Sequence, residues 1–186
     1  SVVRKRRNTA KFSTPVGERI VKTIDHIVVH YDGEELDPLS EQQTFALKEF
    51  KQYKIHSLQD NIDNFIAPNE GIQETNPSAH NLFGRDRVFE KPDRLIVHIH
   101  RENLSHVHYN NGDWKGDLNQ WYCTSNLSIV YSGFKIGPTF HFFVQEMLLN
   151  DKCCNDFDAH DYYDESDIEF YIENAKYLRE AVEANQ

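Results

Sequence analysis

The chain has 186 residues, an apolar fraction of 39%, an aromatic fraction of 12% and a formal net charge of −10, a length that suits one well-cored domain with additions and is short for two. No run approaches the roughly 18 apolar residues that a membrane span needs, and Cys123, Cys153 and Cys154 make neither a disulfide framework nor a paired zinc-ligand pattern. A soluble, cytoplasmic protein without membrane contacts is expected.

Charge is unevenly spread. Residues 1–22 carry Arg4, Lys5, Arg6, Arg7, Lys11, Arg19 and Lys22 against Glu18, whereas the chain from Glu146 onward is strongly acidic. The first segment reads as a basic arm able to meet RNA or an acidic partner, the second as one that repels nucleic acid. Residues 23–186 are expected to form a single α+β domain. Within it, residues 23–31 are β-branched and apolar and stop at Asp32-Gly33, which predicts a strand with a turn behind it. His26 and His30 would share a face of that strand, but roughly 13 Å apart, too far for a joint metal site.

Ser40 has Gln43 three residues on, a capping-box start, and Phe45, Leu47, Phe50, Tyr53 and Lys54 follow. A helix from about Pro38 to Ile55 is expected, its aromatic stripe against a sheet. Residues 57–80, punctuated by Asn, Asp and Pro around a modest apolar patch at Ile62, Phe65 and Ile66, read as a short helix plus a loop, an insertion. Leu82-Phe83-Gly84-Arg85-Asp86 then reads as a glycine-hinged turn that sets a fixed positive charge beside a carboxylate.

From Arg94 the chain reads as β-rich. In a strand over Arg94–His100, alternation sends Leu95, Val97 and Ile99 into a core and projects His98 and His100 together from the other face. Further strands are expected at Ser105–Tyr109, Gln120–Thr124, Ser128–Phe134 and Thr139–Leu149, the last open to a partly helical reading, in an antiparallel meander. Ile168, Tyr171, Ile172, Ala175, Leu178 and Val182 recur at helical spacing and predict a terminal amphipathic helix over Glu165–Ala184.

The order and spacing of these segments resemble YafO-type ribosome-dependent mRNA interferases, the toxins of bacterial type II toxin–antitoxin pairs. Phe50-Lys51-Gln52-Tyr53-Lys54 is similar to the family's helix ending in Phe-x-x-Tyr-Lys, and Leu82-Phe83-Gly84-Arg85-Asp86 to its Phe-Gly-Arg-Asp turn. His98-Ile99-His100 resembles its His-Ile-His strand, Thr124-Ser125-Asn126 its polar turn, Ile129-Val130-Tyr131 its next strand, and Ala159-His160 a histidine ahead of the terminal helix. The resemblance covers about residues 45–185. It implies a small RelE-like α+β fold, with N-terminal helices and a C-terminal amphipathic helix on a twisted antiparallel sheet. It also implies cleavage of mRNA on the ribosome and a cognate antitoxin as partner. The chain departs from the family pattern at Cys123, where an Arg is expected, and in its acidic net charge.

Cleaving RNA without a metal or other cofactor needs a base for the 2′-hydroxyl proton, an acid for the leaving 5′-oxygen and a cation beside the phosphorus. Histidine suits the first two because its ordinary pKa of about 6.5 allows both forms near neutrality; Arg suits the third because it is always charged and grips phosphate in a fork. Arg85 is therefore the expected phosphate clamp and His98 with His100 the acid–base pair. Tyr131 is expected to hydrogen-bond the phosphate or stack on a base, and His160 to serve as a further acid. Asp86 would orient Arg85, and the resemblance adds Lys54, Thr124, Ser125 and Asn126 as substrate-binding positions. Two other readings use the same scaffold. His98, His100, His106 and His108 on adjacent strands would suit a metal-dependent nuclease, and a non-catalytic immunity or regulatory module would use the charged segments alone.

Overall fold

The computed structural model describes residues 26–31, 38–149 and 163–186. Its centre is a five-stranded mixed sheet in the order β1-β5-β4-β3-β2, built from β1 (Ile27–Tyr31), β2 (Phe83–Val88), β3 (Ser105–Tyr109), β4 (Ser128–Ile136) and β5 (Thr139–Leu148). The pairs β2–β3, β3–β4 and β4–β5 are antiparallel, as a meander requires, and β1 closes one edge parallel to β5. The α+β class and the RelE-like arrangement of helices around a sheet hold; the parallel edge strand is an addition to the expected antiparallel pattern.

Alternation along the strands divides the sheet into two apolar faces. On one, Phe83, Val107, Ile129, Tyr131, Phe140 and Phe142 meet Ala46, Phe50, Tyr53 and Leu58 of helix α1 (Glu41–Asp60). The start of α1 follows its sequence signal: Ser40 Oγ accepts from the Gln43 N–H at 3.1 Å while Gln43 Oε1 accepts from the Ser40 N–H at 3.0 Å. The intervening insertion holds a single 3-10 turn, Ile62–Asn64, and the short helix α2 (Glu70–Thr75), and it folds Phe65 and Ile66 back onto this core.

On the other face Val130 meets Phe89, Leu95, Ile99 and Leu104 together with Ile168, Tyr171 and Ile172 of the terminal helix α4 (Glu165–Ala184). Its bounds are those the apolar spacing predicts, and Asp164 caps it by accepting from the Asp167 N–H at 3.0 Å. Between them lies helix α3 (Ile96–Glu102). This corrects the strand expected over Arg94–His100. Leu95 and Ile99, four apart, bury on one helical stripe, and Asn103 turns the chain out of the helix in the left-handed conformation, φ 52°. Arg179 of α4 then locks the end of α3 by donating to both carboxylate oxygens of Glu102, at 2.9 and 3.0 Å. Tertiary burial here overrides the β-branched character of the run.

Three smaller expectations also change. Phe83–Val88 is a strand rather than a turn; Gln120–Tyr122 is a 3-10 turn rather than a strand; Thr139–Leu148 is strand throughout. The basic arm of residues 1–22, the start of the first strand at residues 23–25, Cys153, Cys154 and His160 lie outside the described residues.

Candidate functional site

Gly84 determines the local geometry. A Cβ at this position would stand 2.0 Å from the Cys123 carbonyl oxygen and 2.6 Å from the Trp114 ring, so only glycine lets β2 come this close to the 120–123 turn. The approach is used: the Arg85 N–H donates to Cys123 O at 2.9 Å, and Arg85 Nε donates to Trp121 O at 2.6 Å. Cys123 is buried against Gly84, and burial raises its thiol pKa. Trp114 is fixed beside it by donating Nε1–H to Thr124 O at 2.8 Å.

Arg85 and Arg87 stand two apart on β2 and therefore share a face. Both lie over the indole of Trp121, with guanidinium carbons 4.4 and 5.4 Å from its centroid. Burial lowers the Arg85 pKa first and the neighbouring Arg87 charge lowers it further, with Glu70 and Tyr122 opposing; a guanidinium remains charged throughout the physiological range. Tyr122 is 57% exposed beside them. Two partly exposed guanidiniums against one indole form a surface suited to phosphates and bases.

This surface continues into a cleft of about 530 Å³ lined by Arg87, Phe89, His106, Tyr163 and Glu165, among others. Arg87 and His106 are direct register partners across β2 and β3, so the guanidinium and the imidazole leave the sheet on one side. Sequence reasoning missed Arg87, Trp121 and Tyr163 as site residues and considered His106 only as a metal ligand. The Arg-x-Arg alternation was readable once Phe83–Val88 was taken as a strand; the position of Trp121, in a loop far along the chain, carried no local signal.

The expected residues fare differently. Arg85 is in the surface just described. His98 and His100 are both exposed but lie on α3, where residues two apart point about 200° from one another around the axis, so they do not form the side-by-side pair that a strand would give. Lys54, Asp86 and Tyr131 come together, but in the core. Lys54 Nζ donates to Asp86 Oδ2 at 2.9 Å and to Tyr131 OH at 2.7 Å, and it also meets the Ile66 carbonyl. Tyr131 OH lies 2.7 Å from Asp86 Oδ1, and Tyr53 OH donates to Asp86 Oδ2 at 2.9 Å.

None of these side chains reaches solvent, so the expected substrate contacts of Lys54, Asp86 and Tyr131 are replaced by contacts with one another. Burial and the Asp86 charge push the Tyr131 and Tyr53 pKa values well above the ordinary phenol range, leaving both as neutral hydrogen-bonding groups. Asp86 is also held by Gln73, whose Nε2 donates to its carbonyl at 2.8 Å and whose Oε1 accepts from its N–H at 3.0 Å. Asp86 thus anchors the strand that presents Arg85 and Arg87 rather than bonding to the Arg85 side chain.

The polar turn is divided. Thr124 is exposed, Ser125 Oγ donates to Tyr109 O at 2.6 Å, and the Ser125 backbone brackets the buried His108 ring, with N and O atoms 3.1 and 2.8 Å from Nδ1. Asn126 lines a separate polar hollow with Asn110 and Asn111. His106 and His108 are on β3 while His98 and His100 are on α3, and among the described residues no group of three or more His, Cys, Asp or Glu is arranged to hold a metal ion. Among the same residues no helix is long and apolar enough to cross a membrane.

No curated protein and no solved structure matches the chain. A family model described as Toxin YafO, type II toxin-antitoxin system, matches residues 49–177, a stretch that contains α2, α3, β2 through β5, Arg85, Arg87, Trp121, His106 and Tyr163. Membership of a type II system implies an antitoxin as partner. With more than half of its length matched, the chain belongs to the YafO toxin family of type II toxin–antitoxin systems.

Proposed function

We propose that this toxin acts as an endoribonuclease that cuts mRNA on the translating ribosome without a metal, through the surface of Arg85, Trp121 and Arg87. The observation that carries this reading is the placement of two guanidiniums against one indole ring, with Arg87 also lining a cleft. Guanidiniums grip phosphate oxygens, and an aromatic face accepts any base by stacking, the combination by which single-stranded nucleic acid is held.

His106, the register partner of Arg87, replaces His98 and His100 as the preferred proton acceptor. In the proposed reaction His106 takes the proton of a ribose 2′-hydroxyl, and the 2′-oxygen bonds to the adjacent phosphorus as the P–O5′ bond breaks. The O5′ leaving group takes a proton from water, and His106 later returns its own to solvent. The products are a 2′,3′-cyclic phosphate and a 5′-hydroxyl, with Arg85 and Arg87 offsetting the charge that builds on the phosphoryl oxygens.

The test is 5′-end mapping of transcripts in a translation extract with and without the protein. New 5′ ends that disappear when ribosomes are removed support the proposal; an unchanged transcript pattern in the complete extract overturns it in favour of a non-catalytic binding module.

A further inference from the structure

We propose that the cleft beside Arg87, walled by Phe89, His106 and Tyr163, is a nucleobase-binding subsite that takes the base flanking the scissile phosphate. This rests on the nuclease reading and adds to it where the strand's base sits.

The three rings form one continuous aromatic wall. Phe89 and His106 have centroids 4.7 Å apart, Phe89 and Tyr163 meet edge to face at 5.3 Å and 90°, and His106 lies 6.3 Å from Tyr163. They come from three separate stretches, the residue after β2, the start of β3 and the residue before the Asp164 cap of α4, and a hydrogen bond between Tyr163 OH and Ser128 Oγ fixes the last of them. Val88 and Ile168 extend the apolar lining. At about 530 Å³ the cleft falls within the roughly 300–1,000 Å³ of small-molecule sites.

A guanidinium next to an aromatic wall suits a ligand with an anionic end and a neutral flat end. Arg87 stands toward the Trp121 surface, where a phosphate would be held. The lining also carries Glu90, Lys91, Asp164 and Glu165, of which Glu90 pairs with Arg87 at 2.8 Å and Glu165 pairs with Arg94. A ribonucleotide has this polarity, its phosphate on the guanidinium side and its uncharged base against the rings. An acidic peptide does not, because it brings carboxylates but no flat uncharged base to set against the rings. His106, the ring of the wall that is the register partner of Arg87, then stands at the phosphate end of the wall, where the connecting ribose must pass.

The full-length protein is titrated by calorimetry with adenosine 5′-monophosphate and with ribose 5-phosphate, which keeps the phosphate and sugar and lacks the base. The mononucleotide is expected to bind about tenfold tighter, the scale of one base stacked on an aromatic side chain. Phe89→Leu is expected to bring the two affinities within about twofold of each other while leaving that for ribose 5-phosphate unchanged; Tyr163→Leu gives the same readout should the first variant fold poorly. Equal affinity of the wild type for both ligands overturns the base subsite but leaves the phosphate clamp standing. Failure of both to bind overturns the subsite and removes the clamp as well, a result distinguishable from loss of the subsite alone.

Discussion

Lys54 Nζ lies 2.9 Å from Asp86 Oδ2 with both side chains wholly out of solvent. This buried ion pair joins α1 to β2 and, through Tyr131, to β4. Burial lowers the Lys54 pKa, while Asp86 pulls it back up; the three-way bonding of the ammonium is what allows it to stay inside. Removing one member leaves the other buried and unpaired, which costs about 3–5 kcal/mol. Lys54→Met and Asp86→Ala are therefore expected to lower unfolding free energy in urea by that amount. Their loss of toxicity should track loss of folded protein, not a reduced rate per folded molecule.

Gly84→Ala tests the contact on which the surface of Arg85 depends. The new Cβ would meet backbone at Cys123, which cannot swing aside as a side-chain tip would. Overpacking of this kind costs roughly 1–3 kcal/mol. A lower melting temperature and a change in tryptophan fluorescence, as the 120–123 turn carrying Trp121 is pushed off β2, are the expected results.

Arg85→Ala and Arg87→Ala address the phosphate clamp without touching the buried pair. Each is expected to reduce transcript cleavage in a translation extract by about tenfold to a hundredfold, the scale of one charged hydrogen bond lost. Melting temperature should stay close to wild type. Arg85→Lys should recover only part of the activity, because an ammonium keeps the charge but loses the guanidinium's contact over the Trp121 ring and the forked grip.

Among the described residues, His98, His100 and His106 separate cleanly by substitution. His106→Ala is expected to slow cleavage by about 10²–10⁴-fold. His98→Ala and His100→Ala, at exposed and divergent positions on α3, should each change it less than about twofold. A large effect at His98 or His100 together with a small one at His106 would reverse the assignment.

A second imidazole pair makes stability sensitive to acid. His30 Nε2 and His141 Nδ1 are 3.0 Å apart between β1 and β5, and the His141 ring also stacks on Phe134. Burial lowers both pKa values below the usual 6.5, and His141 lowers that of His30 further. The unfolded chain therefore takes up these protons first. The stabilisation is fully present above about pH 6.5 and is lost as pH falls through the lowered folded values. Melting curves between about pH 7 and pH 5 should show a steeper loss of stability for the wild type than for His141→Gln.

Much of the frame is readable from local pattern because its causes are local. The capping box at Ser40 and Gln43, the apolar spacing from Ile168 to Ala175, and the alternating strands β3, β4 and β5 each carry their signal within a few residues. Family membership was likewise legible, since it rests on short motifs in a fixed order over residues that the family model also covers. Arg85 was identifiable as an anion-binding candidate from its chemistry and its place in the Phe-Gly-Arg-Asp motif.

What tertiary structure alone decided is which of the remaining motif residues face solvent and which are enclosed. Leu95–His100 has the composition of a strand, yet Leu95 and Ile99 bury more completely as a helical stripe against α4, and that choice separates His98 from His100. Lys54, Asp86 and Tyr131 look like site chemistry in a linear reading, but α1 brings a cation to Asp86 from 32 residues away and seals all three in the core. Trp121 and Tyr163 reach Arg87 and His106 only through the folded sheet. Periodicity reports on neighbours along the chain, whereas burial of charge and convergence of side chains depend on partners that only the closed fold brings within bonding distance.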